Sequence, residues 1–205
     1  MKERPILFNA EMVKAILSGR KTQTRRIIKL DHERGFQNPV VRGRAGEVSS
    51  VEFGLSHMLC PLGQPGDQLW VREAIFPAPL EMQSAPPHET LWNIAYRDGQ
   101  QLVKLAPAAY NPTLYNYERW TPSIHMPRWA SRINLLITGV RVERLDDISQ
   151  HDARCEGIVD HHNVGQEKYL FSRLWRDIYG EESWATNPWI WVIEFERVAP
   201  AGNQP

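Results

Sequence analysis

The stretch NAEMVKAILSGRKTQTRR, residues 9–26, sets the tone for the whole chain. Asn9 suits a helix N-cap, Glu11 suits the positive end of the helix dipole, and Met12, Val13, Ile16 and Leu17 fall on one stripe at helical spacing. Gly19 stands where a left-handed residue closes a helix. The spacing predicts a short amphipathic helix over 9–19. Beyond it, bases and threonines lead into Ile27 and Ile28, which reads as an extended segment, partly strand.

Working outward, QPGD at 64–67 is a turn signature, because Pro presets one central position and Gly accepts positive φ at the next. Residues 68–73 alternate as a strand should, and a weak strand is expected over 48–53. Residues 77–90, with Pro77, Pro79, Pro86 and Pro87, read as a surface loop. A hairpin is expected from 91–96 and 101–105 around an Arg97–Gln100 turn. The longest strand candidate is 132–143, whose apolar phase slips by one residue at Gly139, as at a bulge or barrel corner. Helices follow over 149–156, stopped by Gly157, and over 167–179, with Leu170, Phe171, Leu174, Trp175 and Ile178 inward. Residues 189–198 close the domain as a strand. Short strands with few helices and no βαβ rhythm give an α+β class around a small curved sheet or barrel.

The 205 residues, 42% hydrophobic and 23% charged, suit one domain with its own core. No run of about 18 apolar residues occurs, and the N-terminus lacks a leader's apolar region. With Cys60 and Cys155 as the only cysteines, the expectation is a cytoplasmic chain without disulfides or membrane contact. Net charge is zero, yet residues 1–44 carry eleven Lys/Arg against four Asp/Glu. That excludes a broad basic face for duplex binding and leaves room for a local anion site, or for bases paired with acids elsewhere.

The residues then become recognisable. AILSGRKTQTRR (15–26) resembles the signature of the ASCH family, related in fold to PUA-domain barrels. GDQLWVRE (66–73), LDDISQHDARCEG (145–157) and PWIWVIEF (188–195) resemble its later motifs, in the right order. WTPSIHMPRWASR (120–132) is similar to a longer, phage-associated branch. The resemblance implies a single PUA-like domain over 1–198, a small curved β-barrel with a few short helices, with insertions near 31–63 and 74–119 and a flexible tail over 199–205.

For function, the resemblance implies a nucleic-acid- or nucleotide-binding module. One branch of the family hydrolyses the amide of N4-acetylcytidine with a Lys and a Thr of the GRKTxT motif and a Glu of the third motif. Here Lys21, Thr24 and Glu156 match those positions. The chemistry is coherent: a threonine hydroxyl needs a base, and a lysine becomes one when burial or like charge lowers its pKa far below about 10.4. Arg20, Arg25 and Arg26 supply like charge, and Glu156 can pass a proton to the leaving amine. On a regular strand Lys21 and Thr24 would face opposite ways, so this mechanism requires a bend between them. The same residues also read as a phosphate-binding cation, a strand residue and an ion-pair partner.

Aromatics give a second signal. Trp70, Trp120 and Trp129 lie near Arg72, Glu73 and Arg128, a composition that stacks bases and holds phosphates. Trp175 and one of Trp189 and Trp191 are expected in the core. His151, Asp152, Asp160, His161 and His162 lack the spacing of a tetrahedral metal site, and no phosphate-binding or dinucleotide motif occurs, so neither metal nor cofactor is expected. The expected partner is a modified nucleoside, or RNA or another single strand. Three functions stay open: metal-independent amide hydrolysis, binding without catalysis, and metal-independent RNA cleavage.

Overall fold

The structure, a computed structural model, describes residues 1–31, 34, 39–52, 55–80, 91–107, 119–159 and 165–198. In chain order the elements are β1 (Glu3–Leu7), α1 (Ala10–Leu17), β2 (Gln23–Ile27), β3 (Val40–Arg42), β4 (Val48–Ser50), β5 (Gln68–Arg72), β6 (Ile75–Pro79), β7 (Leu91–Tyr96), β8 (Gln101–Leu105), β9 (Asn134–Arg144), α2 (Gln150–Cys155), α3 (Glu167–Tyr179), α4 (Glu182–Ala185) and β10 (Trp189–Val198). One sheet has the order β1-β5-β9-β10-β2, a second pairs β3 with β4, and a third has the order β6-β7-β8. The α+β class holds. Among the described residues no ladder joins β1 to β2, so the barrel expected from the sequence is not closed by the strands described. Among the described residues no helix is long and apolar enough to cross a membrane.

The described residues fall into two compact units. The first comprises Met1–Arg4, Ala15–Leu69 and Leu135–Val198. In it β2 runs antiparallel to β10, with Thr24 opposite Ile193 and Arg25 opposite Val192. Its core gathers Leu145, Ile148, Ala153, Phe171, Trp175, Ile190 and Val192. Trp191 joins the buried set whereas Trp189 stays half-exposed. On α3 the buried positions are Glu167, Phe171, Ser172 and Trp175. Ile178, expected inward, is exposed, because the core ends at Trp175 and the last turn runs past it.

The strand β9 runs through Gly139 as one element, Asn134–Arg144. Glycine serves there to admit a neighbour: a Cβ at 139 would stand 2.7 Å from the Glu194 carboxylate. The weak strand expected over 48–53 is three residues long, β4, and Phe53 lies outside the described residues.

The second unit comprises Pro5–Lys14 and Trp70–Asn134. The β7–β8 hairpin matches its expected bounds, with Leu91 opposite Leu105 and Ala95 opposite Gln101. Residues 75–79 correct the loop reading: Pro77 and Pro79 lie in β6, paired with Ile94 and Trp92. Within β6-β7-β8, β6 is an end strand, where a missing N–H does least harm to the ladder. Residues 81–90 lie outside the described residues. Ile75, Ile94, Tyr96, Met126 and Ala130 form this unit's main core, with Leu102 and Trp129 against it.

Candidate functional site

The end of α1 and the end of α2 set the site. The backbone N–H groups of Arg20 and Lys21 both donate to the Ala15 carbonyl, at 2.9 and 3.0 Å, which wraps the chain around the helix end. Thr22 N–H then donates to the Cys155 carbonyl at 2.8 Å, and Lys21 forms an antiparallel bridge with Glu156. The helix α2 starts from a capping box in which Ser149 and Asp152 satisfy each other's backbone N–H, and Glu156 is its C-cap. Gly157 follows at φ +92°, and a Cβ there would come within 2.9 Å of the Ala15 Cβ and 3.2 Å of the Lys21 Cβ. Glycine is therefore required both for the left-handed turn and for the close approach of the two segments.

The side chains complete a buried ion network. Lys21 Nζ donates to Glu156 Oε2 at 2.5 Å and to the Glu156 carbonyl at 3.0 Å. Arg25 donates from Nη1 to Glu156 Oε1 at 3.0 Å and from Nη2 to Glu143 Oε1 at 2.8 Å, and its Nη2 lies 3.7 Å from Asp152 Oδ1. Gln23 Oε1 accepts from Arg25 Nη1 at 3.3 Å. Arg141 closes the outer rim through Glu143 at 3.0 Å, Asp152 at 2.9 Å and Glu194. Side-chain exposure is 1% at Lys21, 5% at Glu156 and 0% at Arg25, and rises to 16% at Glu143 and 35% at Arg141. The two inner cations are sealed from water and the outermost is not.

Burial lowers the Lys21 pKa below the ordinary lysine range, against the Glu156 carboxylate, which raises it; Arg26 and Arg25 add to the lowering. Asp152 moves the other way from its burial: hydrogen bonds from Ser149 and the charges of Arg25 and Arg141 outweigh desolvation and bring it down to about 2. The arrangement offers an amine that can give up its proton, with a carboxylate in hydrogen-bond contact to receive one.

Of the residues expected from sequence, Lys21, Arg25 and Glu156 are brought together. Thr24 is buried in β2 between Gln23 and Arg25. Strand alternation sends its side chain to the face opposite theirs, and among the described residues no hydrogen bond links it to Lys21 or Glu156. Arg25, which with Arg20 and Arg26 the sequence reading also offers as a substrate or nucleic-acid contact, has a fully covered side chain and answers to three carboxylates. Arg20 is exposed and donates to Ser18 Oγ at 2.9 Å, and Arg26 is half-buried in β2, directly after Arg25.

The remaining expected residues belong to the second unit. The Trp70 indole lies 5.3 Å from the Arg72 guanidinium and 5.7 Å from that of Arg128. Trp120 packs edge-on against Phe76, with Arg97 over its ring at 3.9 Å. Trp129 packs against both apolar clusters of the unit. Glu73 is buried and receives two hydrogen bonds from Arg132, both at 2.8 Å. Glu143, Arg141 and Gln23 were not singled out by sequence reasoning, and Asp152 was weighed only as a metal ligand. The signal available for two of them was the same-face pair Arg141 and Glu143 on a strand whose earlier positions are apolar.

Among the described residues no group of three or more His, Cys, Asp and Glu is placed to hold a metal ion. Asp160, His161 and His162 lie outside the described residues.

No family model matches the chain, and no curated protein matches it. Among solved structures, an ASCH domain from Lactobacillus crispatus JV V101 is 14% identical, with 97% of this chain and 81% of that chain covered and a TM-score of 0.39. A protein from Enterococcus faecalis V583, of the family DUF984, is 10% identical, with 100% and 86% covered and a TM-score of 0.41.

Proposed function

We propose that this chain is an ASCH-type, PUA-like protein that recognises a nucleoside and hydrolyses the amide of an N4-acylated cytidine without a metal. The observation that carries the reading is the buried Lys21–Glu156 contact at 2.5 Å, at the two motif positions the family resemblance marks for proton transfer. In this reading the Thr24 hydroxyl attacks the acyl carbon, and Lys21 takes its proton. The C–N4 bond breaks as Glu156 returns a proton to the amine. Water then opens the acyl-threonine ester, releasing the carboxylic acid and restoring the hydroxyl. The demand falls on Thr24, whose side chain leaves β2 on the face away from Arg25.

The test is to incubate the purified protein with N4-acetylcytidine and separate the products by chromatography. Cytidine formed by the wild type, and lost in both Lys21→Ala and Thr24→Ala, is the expected result. Turnover surviving in Thr24→Ala removes the threonine nucleophile; no turnover by folded wild type removes the reaction.

A second reading, a single-strand RNA-binding module without catalysis, is favoured by Trp70 with Arg72 and Arg128 beside its ring, a surface for one stacked base and its phosphate. In that case Trp70→Ala weakens RNA binding about tenfold, and Thr24→Ala leaves it unchanged.

A further inference from the structure

A cleft of about 500 Å³ in the first unit opens beside the ion network. Its walls include Val140 and Val142, half-exposed apolar residues on β9 beyond Gly139, and Trp189, over which the Arg144 guanidinium lies at 4.4 Å. An indole and two valines lining one concavity form a slot for a flat, weakly polar group. The charges around it are unequal: Glu52, Glu143 and Asp147 outnumber Arg141 and the Arg144 guanidinium over the indole, with Arg141 and Glu143 both already engaged in the ion network. A phosphate would meet repulsion there, whereas ring N–H donors and sugar hydroxyls would meet acceptors.

Glu143 ties this cleft to the buried centre. It lines the cleft and accepts from Arg25 Nη2 at 2.8 Å; Arg25 reaches Glu156 at 3.0 Å, and Glu156 reaches Lys21 at 2.5 Å. Three ion pairs therefore connect the cleft wall to the lysine.

We infer that this cleft is the nucleoside-binding subsite, with Trp189 stacking the base and the carboxylates selecting an uncharged nucleoside over its phosphorylated forms. The inference rests on the nucleoside reading above, and assigns it a place and a specificity. None of the tryptophans singled out as ligand candidates from sequence lines this cleft; Trp189 does.

The test titrates the intact protein with cytidine and with cytidine 5′-monophosphate by calorimetry, at low and high salt. Cytidine is expected to bind, and the monophosphate to bind at least about fivefold more weakly at low salt, with the gap narrowing as salt screens the carboxylates. Trp189→Ala should weaken cytidine about tenfold. Val142→Phe, which fills the slot from a half-exposed position, should abolish binding and serves if the alanine variant fails to fold. Equal binding of the two ligands, unchanged affinity in both variants, or no cytidine binding at all overturns the inference. Its failure is separable from that of the reaction. Cytidine binding that depends on Trp189 without N4-acetylcytidine turnover keeps the cleft and removes the hydrolase. Turnover whose KM is unmoved by Trp189→Ala keeps the hydrolase and removes the cleft.

Discussion

Each unit buries an ion cluster, and the two differ in the cation at the centre. In the second unit Arg132 grips both oxygens of Glu73, lies 3.0 Å from Asp98 Oδ2, donates to Gln100 Oε1 at 2.7 Å and sits over the Tyr96 ring at 3.8 Å. It ties the turn of the β7–β8 hairpin to the residue that follows β5. A guanidinium keeps its proton at any physiological pH, so this cluster can fasten but cannot titrate through its cation. In the first unit a buried guanidinium, Arg25, shares its carboxylate Glu156 with a lysine, Lys21, whose burial pulls its pKa down. Two clusters of similar burial and charge thus have different capacities. Burial of a salt bridge is by itself no sign of function; the identity of the cation and the direction of its pKa are what separate a clamp from a site for proton transfer.

The sharpest way to break this comparison is kinetic. On N4-acetylcytidine, Lys21→Ala should lower turnover about 10³-fold, the scale of a lost general base. Arg132→Ala should leave kcat within about twofold and appear instead as about 3–5 kcal/mol of lost stability in urea unfolding, since it strands a buried carboxylate. Equal kinetic loss in both variants would erase the distinction.

A smaller effect sharpens it through pH. Asp152, held at about 2, contributes stability that is fully present above the ordinary aspartate pKa and is lost as pH falls toward about 2. After solvent screening this is worth about 1 kcal/mol. Glu73 has the opposite sign. Burial raises its pKa despite Arg132, so the folded state holds its proton longer than the unfolded chain, and stability declines as pH rises through the interval above the ordinary glutamate pKa. Urea unfolding across the acid range should show the acid-side loss flattened in Asp152→Asn and the opposing decline removed in Glu73→Gln. A shared sign for the two variants would contradict the assignment.

A last contrast lies between two glycines. Gly157→Ala meets Ala15 and Lys21 atoms at a positive φ and should cost about 1–3 kcal/mol with a matching fall in turnover. Gly139→Ala meets the tip of a partly exposed glutamate that can swing aside, so thermal unfolding should register less than about 1 kcal/mol.

Local signals made much of this legible. Caps, stripes and turn residues located α1, α2, the β7–β8 hairpin and β10, because each is set within a few neighbouring residues. β6 was missed because prolines at 77 and 79 speak against a strand, and only tertiary placement at a sheet end makes them tolerable. β1 was missed because Glu3–Leu7 buries a single residue and its sequence, ERPIL, does not alternate polar with apolar residues. At the site, Lys21 and Glu156 were reached through motif resemblance, whereas Glu143, Asp152 and Arg141 were not. Ion pairing between distant strands follows no periodicity, so nothing in the sequence tells a buried arginine such as Arg25 from a solvated one.

The join between β2 and β10 has a consequence for how the chain is made. Gln23 and Glu194, hydrogen-bonded across that join, are 171 residues apart, and Lys21 and Glu156 are 135 apart. At ordinary rates of translation β2 leaves the ribosome roughly 10–30 s before its ladder partner exists. An apolar strand would be an aggregation hazard for that time. QTRRI is not, because its two arginines keep it hydrated until β10 arrives. Arg25, whose charge ends up sealed in the interior, acts first with Arg26 as the strand's protection in the nascent chain.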